Sequence, residues 1–144
     1  MPDSSGAGEA RDVSDCVGSP PEGEVYDWYV RGRELLDRGD ASAAAQVLLH
    51  TIAADPDSRS AREMLARAQF DSQQYSEAAA NFAELVARDP VDHYAHFGLA
   101  LASRRLGDLP TAIKHLALAT AMRPDLRHYA HALQAARAAA AVHK

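Results

Sequence analysis

Pro56, Pro90 and Pro124 stand 34 residues apart, each in a short stretch suited to a turn: Asp55-Pro56-Asp57, Asp89-Pro90-Val91 and Arg123-Pro124-Asp125. Proline has no backbone N–H and drives the residue before it out of the helical region. A chain that meets the same stop at a fixed interval is therefore built from like units, each too small to bury its own apolar face. Rows of 25–58, 59–92 and 93–126 align more than the prolines. Ala44, Ala78 and Ala112 form one column, Leu48, Phe82 and Leu116 a second, Gly32, Ala66 and Ala100 a third. Gly39 and Gly107 share a fourth, followed by Asp40 and Asp108.

From residue 25 the apolar spacing is helical and no period-two strand pattern stands out. Each row predicts a helix, a tight turn, a second helix and a stop. Small residues at Gly32, Ala66 and Ala100, met by Ala44, Ala78 and Ala112, let two helices approach closely, and Leu48, Phe82 and Leu116 fill the remaining space. Gly39 and Gly107 suit a left-handed helix end, and Asp40 and Asp108 suit the cap of the next helix. Row two carries Gln73 and Gln74 there, so its turn is less well specified. Asp57 or Ser58, Asp92 and Asp125 are candidate caps after the stops, and Pro110 belongs in a first helical turn.

The remaining composition bounds the function. A chain of 144 residues is one-domain length. Six of its 20 acidic residues and one of its 15 basic ones lie in 1–24, so that segment holds the whole net charge of −5. It is small, polar and proline-bearing, and is expected to be a disordered acidic tail. Residues 25–144 keep 14 charges of each sign, which excludes the basic excess expected of a nucleic-acid binder. The single cysteine, Cys16, cannot close an intramolecular disulfide, and no signal peptide or membrane span is evident, so a cytoplasmic, soluble protein is expected. Arginine outnumbers lysine, of which there are only Lys114 and Lys144, a bias that points to a GC-rich bacterial genome.

The period, the stretch Trp28-Tyr29-Val30-Arg31-Gly32, the alanine column and the recurring proline resemble the tetratricopeptide repeat family. The resemblance covers residues 25–126 and implies an all-α, right-handed superhelical solenoid of three helix-turn-helix repeats. Residues 127–141 resemble the capping helix that follows a last repeat, burying Tyr129, Ala130 and Leu133, with later alanine turns expected to fray. The domain is thus expected to span 25–141. Three departures from the family pattern are expected to loosen packing locally. Arg62 and His96 stand in the column of Trp28, Arg31 takes a leucine position, and Leu85 fills a site usually small.

In that family the first helix of each pair lines a concave groove for a peptide or partner helix. With Trp28, Gly32 and Leu35 on the core face, a second stripe of the first helix holds Tyr26, Tyr29, Arg33 and Leu36. Its counterparts are Ser60, Glu63, Arg67 and Phe70, then Tyr94, Phe97, Leu101 and Arg104 beside Arg105. Rings and arginines on one stripe predict a protein-interaction module whose partner has apolar anchors and acidic character. Self-assembly into a homo-oligomer, through the groove or the capping helix, is the alternative. The places that clamp a chaperone tail in the family are held by Tyr29, Arg33, Met64, Tyr94 and Gly98, of which only Arg33 could serve. The pairs His93/His96 and His128/His131 each supply two imidazoles, short of the four ligands of a closed zinc site, so no metal or other cofactor is expected. No phosphate loop, nucleophile elbow or zinc-protease motif is present, so no enzyme activity is expected.

Overall fold

The structure, a computed structural model, describes residues 23–142. Among them are seven helices and no strand: α1 (Val25–Asp37), α2 (Ala41–Ala54), α3 (Arg59–Asp71), α4 (Tyr75–Arg88), α5 (His93–Arg105), α6 (Leu109–Met122) and α7 (Arg127–Val142). Each 34-residue row holds two helices, and α7 follows the third. Residues 1–22 of the acidic segment 1–24, Cys16 among them, lie outside the described residues; Glu24 occupies the N-cap of α1 and its N–H donates to Asp27 Oδ2 at 3.2 Å.

All three stops share one geometry. The residue before each proline, Asp55, Asp89 or Arg123, is extended at φ −141, −143 or −136° and ends its helix. Its carbonyl then accepts the N–H three residues on, from Ser58 at 3.2 Å, Asp92 at 3.0 Å and Leu126 at 3.1 Å, with the proline in the second turn position. Ser58 and Asp92 go on to cap the next helix by accepting from Ala61 N and Ala95 N. Asp125 does not: Arg123 takes its carboxylate at 2.7 and 2.9 Å, leaving Leu126 ahead of α7.

Arg62 and His96, expected to loosen packing in the Trp28 column, tie these turns instead. Arg62 Nη2 donates to Pro56 O at 3.0 Å and His96 Nε2 to Pro90 O at 2.8 Å, each reaching back six residues. The carbonyl of a proline inside a turn is left out of the helical ladder, and a polar side chain at this place satisfies it.

The turns inside the rows also follow one pattern. Gly39 and Gly107 are left-handed at φ +84 and +86°, and Asp40 N and Asp108 N close the helix ends onto Leu35 O and Ser103 O. Asp108 accepts from Thr111 N, while Asp40 makes no side-chain cap. In row two Gln73 adopts the same left-handed region, φ +67°, at a cost glycine would not incur. Pro110 lies in the first turn of α6.

The chain forms two compact units, one through Ser72 and one from Gln73. In the first, α2 packs on α1 and α3, and Leu36, Ala44, Leu48, Ile52, Met64 and Leu65 are buried together. In the second, α4 packs on α5, α5 on α6 and α6 on α7. All three alanine-column residues, with Ala66 and Ala100, are fully buried, as are Leu48 and Leu116. A Cβ on Gly32 would sit 2.6 Å from Leu48 Cγ, and one on Gly98 would run into the Phe82 ring. The bulky column therefore carries phenylalanine in row two because the helix packed on it offers a glycine. Row one pairs the smaller Leu48 with Met64 at the place equivalent to Gly98. Tyr129, Leu133 and Ala136 anchor α7, which runs to Val142; Ala130 is only partly covered.

Gly98→Ala is expected to destabilise the protein by about 1–3 kcal/mol, read as a lower urea midpoint at unchanged slope. Adding Phe82→Leu is expected to return part of that loss. Gln73→Gly is expected to stabilise by about 1 kcal/mol in the same assay.

Candidate functional site

The predicted stripe of α1 separates into different environments. Tyr26 is 71% exposed, Tyr29 is half-buried against the first core, Arg33 is exposed, and Leu36 is buried. Leu36 is therefore taken up by the core, with Leu35 partly covered beside it, so the core face of α1 is turned slightly from the one expected. From α3, Glu63 and Phe70 are half-buried and Arg67 is exposed.

Two adjoining hollows lie on this unit. The smaller, about 110 Å³, is lined by Tyr29, Ser60, Glu63, Met64 and Arg67, and so joins Tyr29 to Glu63 and Arg67 as the repeat spacing predicted. The larger, about 410 Å³, is lined by Val25, Tyr26 and Tyr29 of α1, Thr51 and Asp55 at the end of α2, and Ser58 and Ser60 at the start of α3. Tyr29 and Ser60 belong to both. Arg33 lines neither.

In the second unit most of the expected anchors are spent on packing. Phe97 stacks on Tyr129 at 4.6 Å between centroids and meets His128 edge-on at 5.3 Å, so it docks α7. Tyr94 lies edge-on to Phe82 at 6.2 Å, and Leu101 is half-buried. Arg105 lies over the Tyr75 ring at 5.2 Å and donates to its hydroxyl at 2.5 Å. Arg104 is exposed.

Val25, Thr51 and Asp55 were missed as lining residues. Asp55 reads in the sequence as part of a stop. What brings these residues together is the pairing of α1 with α2, which sets the start of one helix beside the end of the other, with Asp55 exposed and Thr51 buried beneath. Counting back from Gly39 along both helices would have matched 25–26 with 51–55.

The sequence profile of the tetratricopeptide repeat matches residues 29–79 and again 63–127. No curated protein matches the sequence. Among solved structures, MamA from Desulfovibrio magneticus RS-1 aligns with TM-score 0.77 and 23% identity, covering 80% of this chain and 65% of that one. This chain thus spans less than two thirds of that protein. The first such domain of Spaghetti (RPAP3), bound to the HSP90 peptide SRMEEVD, aligns with TM-score 0.76 and 18% identity over 85% of this chain and 97% of that one. The second domain of human RPAP3, in complex with the HSP70 peptide SGPTIEEVD, aligns with TM-score 0.71 and 19% identity over 79% and 98%. At such identities the likeness is one of fold.

The histidines form a second titratable grouping, arranged across helices and not along them. His93 Nδ1 meets Tyr129 Oη at 2.7 Å, and His96 Nδ1 meets His115 Nδ1 at 2.8 Å. Among the described residues no three His, Cys, Asp or Glu side chains converge as a metal site would need. Pro90 O can only accept, so His96 Nε2 carries its proton, its Nδ1 is the acceptor, and His115 Nδ1–H donates. Burial first, then His96 and Lys114, hold the His115 pKa below its usual 6.5. As pH falls through that usual value the unfolded chain binds a proton that the folded one resists. The contribution of His115 to stability is therefore full above it and lost below it. Melting temperature is expected to drop between about pH 7.5 and 5.5, with a shallower drop in His115→Gln, whose amide can still donate to His96.

Proposed function

The chain belongs to the tetratricopeptide repeat family, and from that premise we propose that it is a protein-interaction module that holds a segment of a partner along the first helices of its repeats. The observation that carries this is the smaller hollow, which gathers Tyr29, Glu63 and Arg67 from two successive first helices onto one surface. Tyr29 is the apolar anchor, and Arg33 and Arg67, exposed on the same stripe, select for acidic character. In the second unit Tyr94 and Arg104 hold the corresponding places on α5. We place the module in the cytoplasm, in keeping with a sequence that has a single cysteine.

Magnitudes assign the roles. A buried aromatic anchor contributes about 2 kcal/mol or more, an exposed ion pair about 0–1 kcal/mol. The ring sets affinity, and the arginines set selectivity and encounter rate. Two structural neighbours hold acidic heat-shock peptides, but the carboxylate-clamping places here offer little to such a tail. Met64 is buried, Gly98 lies against Phe82, and Tyr29 and Tyr94 carry no charge.

In affinity capture from lysate, the Arg33→Glu, Arg67→Glu variant, shown by circular dichroism to be folded, is expected to lose the partner held by the wild type, with affinity lower by about tenfold. Equal retention by both proteins would move the binding surface off α1 and α3. Titration with the peptide SRMEEVD is expected to show no saturable micromolar binding. Tight binding would place the chain with the tail-clamping domains.

A further inference from the structure

We propose that the larger hollow of the first unit is a receptor for one basic side chain, an arginine or lysine carried by the partner segment. This rests on the reading that such a segment lies along α1 and α3. The partner is then bipolar: a basic residue sits between Tyr26, Tyr29 and Asp55, and acidic residues lie further along, toward Arg67 and Arg33.

The chemistry of the lining selects a cation. Two tyrosines and Val25 form the wall, and tyrosine faces attract a guanidinium or ammonium. Asp55 is the one carboxylate among the lining residues, and none of them is basic. Among the described residues no cation pairs with it. The segments that frame the hollow, 23–27 and 51–60, carry Glu24, Asp27, Asp55 and Asp57 against Arg59, and Arg62 reaches in to Pro56 O, so acidic residues still outnumber basic ones there by four to two. The C-terminus of α2, which ends at Ala54 beside Asp55, adds the negative end of a helix dipole. Each of the two helix starts nearby already has one N–H taken within the chain, at α1 by Asp27 accepting from Glu24 N and at α3 by Ser58 accepting from Ala61 N.

Size and placement agree. At about 410 Å³ the hollow falls within the range of ligand clefts, roughly 300–1,000 Å³, and takes a long basic side chain with its hydrocarbon stem against the rings. Thr51 already spends its hydroxyl on Val47 O at 3.3 Å, so the lining offers the Asp55 carboxylate, the ring faces and the Ser58 and Ser60 hydroxyls. Because Tyr29 and Ser60 line both hollows, one extended segment can fill them in succession. The smaller hollow differs in character, since Arg67 lines it together with Glu63.

The test uses the full chain and three capped tripeptides, Ac-Ala-Arg-Ala-NH2 and its Gln and Glu counterparts, followed by amide NMR shifts. The arginine peptide is expected to give saturable shifts centred on Tyr26, Tyr29, Asp55 and Ser60. Binding should weaken about fivefold or more with the Gln peptide, and again for the arginine peptide in Asp55→Asn. The Glu peptide should not saturate. Shifts that are equal for Arg and Gln peptides, unchanged in Asp55→Asn, centred elsewhere or absent would overturn the receptor. The two readings fail separately: if Asp55→Asn has no effect while Arg33→Glu, Arg67→Glu loses the captured partner, the interaction module stands and the basic receptor does not.

Discussion

Everything in this chain depends on how a helix is stopped at a proline and restarted three residues later. The pre-proline residue is forced extended, its carbonyl accepts the next N–H but two, and the proline carbonyl is left pointing away from any ladder. That last group has to be satisfied. In two rows a long polar side chain six residues on does so, Arg62 in one and His96 in the other, both in the column where row one has Trp28. What looks in the sequence like erosion of a family pattern is the side chain that fastens the turn to the helix it starts.

With the turns fixed, the packing distance between helices follows from pairs of positions and not from single residues. Gly32 is opposed by Leu48, and Gly98 by Phe82. Interiors are packed to crystal-like density, so a large side chain on one helix demands a small one on its neighbour. The exchange of leucine for phenylalanine in the bulky column is answered by methionine giving way to glycine one helix further on. Repeats that share a backbone can thus differ in sequence while the contacts of Leu48 and Phe82 stay close.

The same economy explains why the aromatic stripe divides. A side chain on the first helix of a repeat is open to a partner only if no neighbouring helix claims it. Phe97 is claimed by Tyr129 and His128 of α7, and Arg105 by Tyr75 of α4. Tyr26 and Tyr29 open onto the hollows of the first unit, where the acidic framing segments and Arg67 give the surface its polarity. Such a gradient along one surface favours a segment of defined direction.

Sequence alone determined the architecture: the 34-residue interval, the alanine column, the glycine turns and the caps at Ser58, Asp92 and Asp108 are local or strictly periodic signals, and each acts within a few residues of where it is written. The spacing also put Tyr29, Glu63 and Arg67 on one face. It could not say that Leu36 and Phe97 would be consumed by packing, that Asp125 would be held by Arg123, or that His96 would pair with His115. It gave no sign that Asp55 would floor a hollow. Those outcomes turn on which helix lies against which and at what rotation, a matter of contacts between residues up to 36 positions apart. Periodicity assigns a residue to a face, and only the packed neighbours decide whether that face meets solvent, a partner or the core.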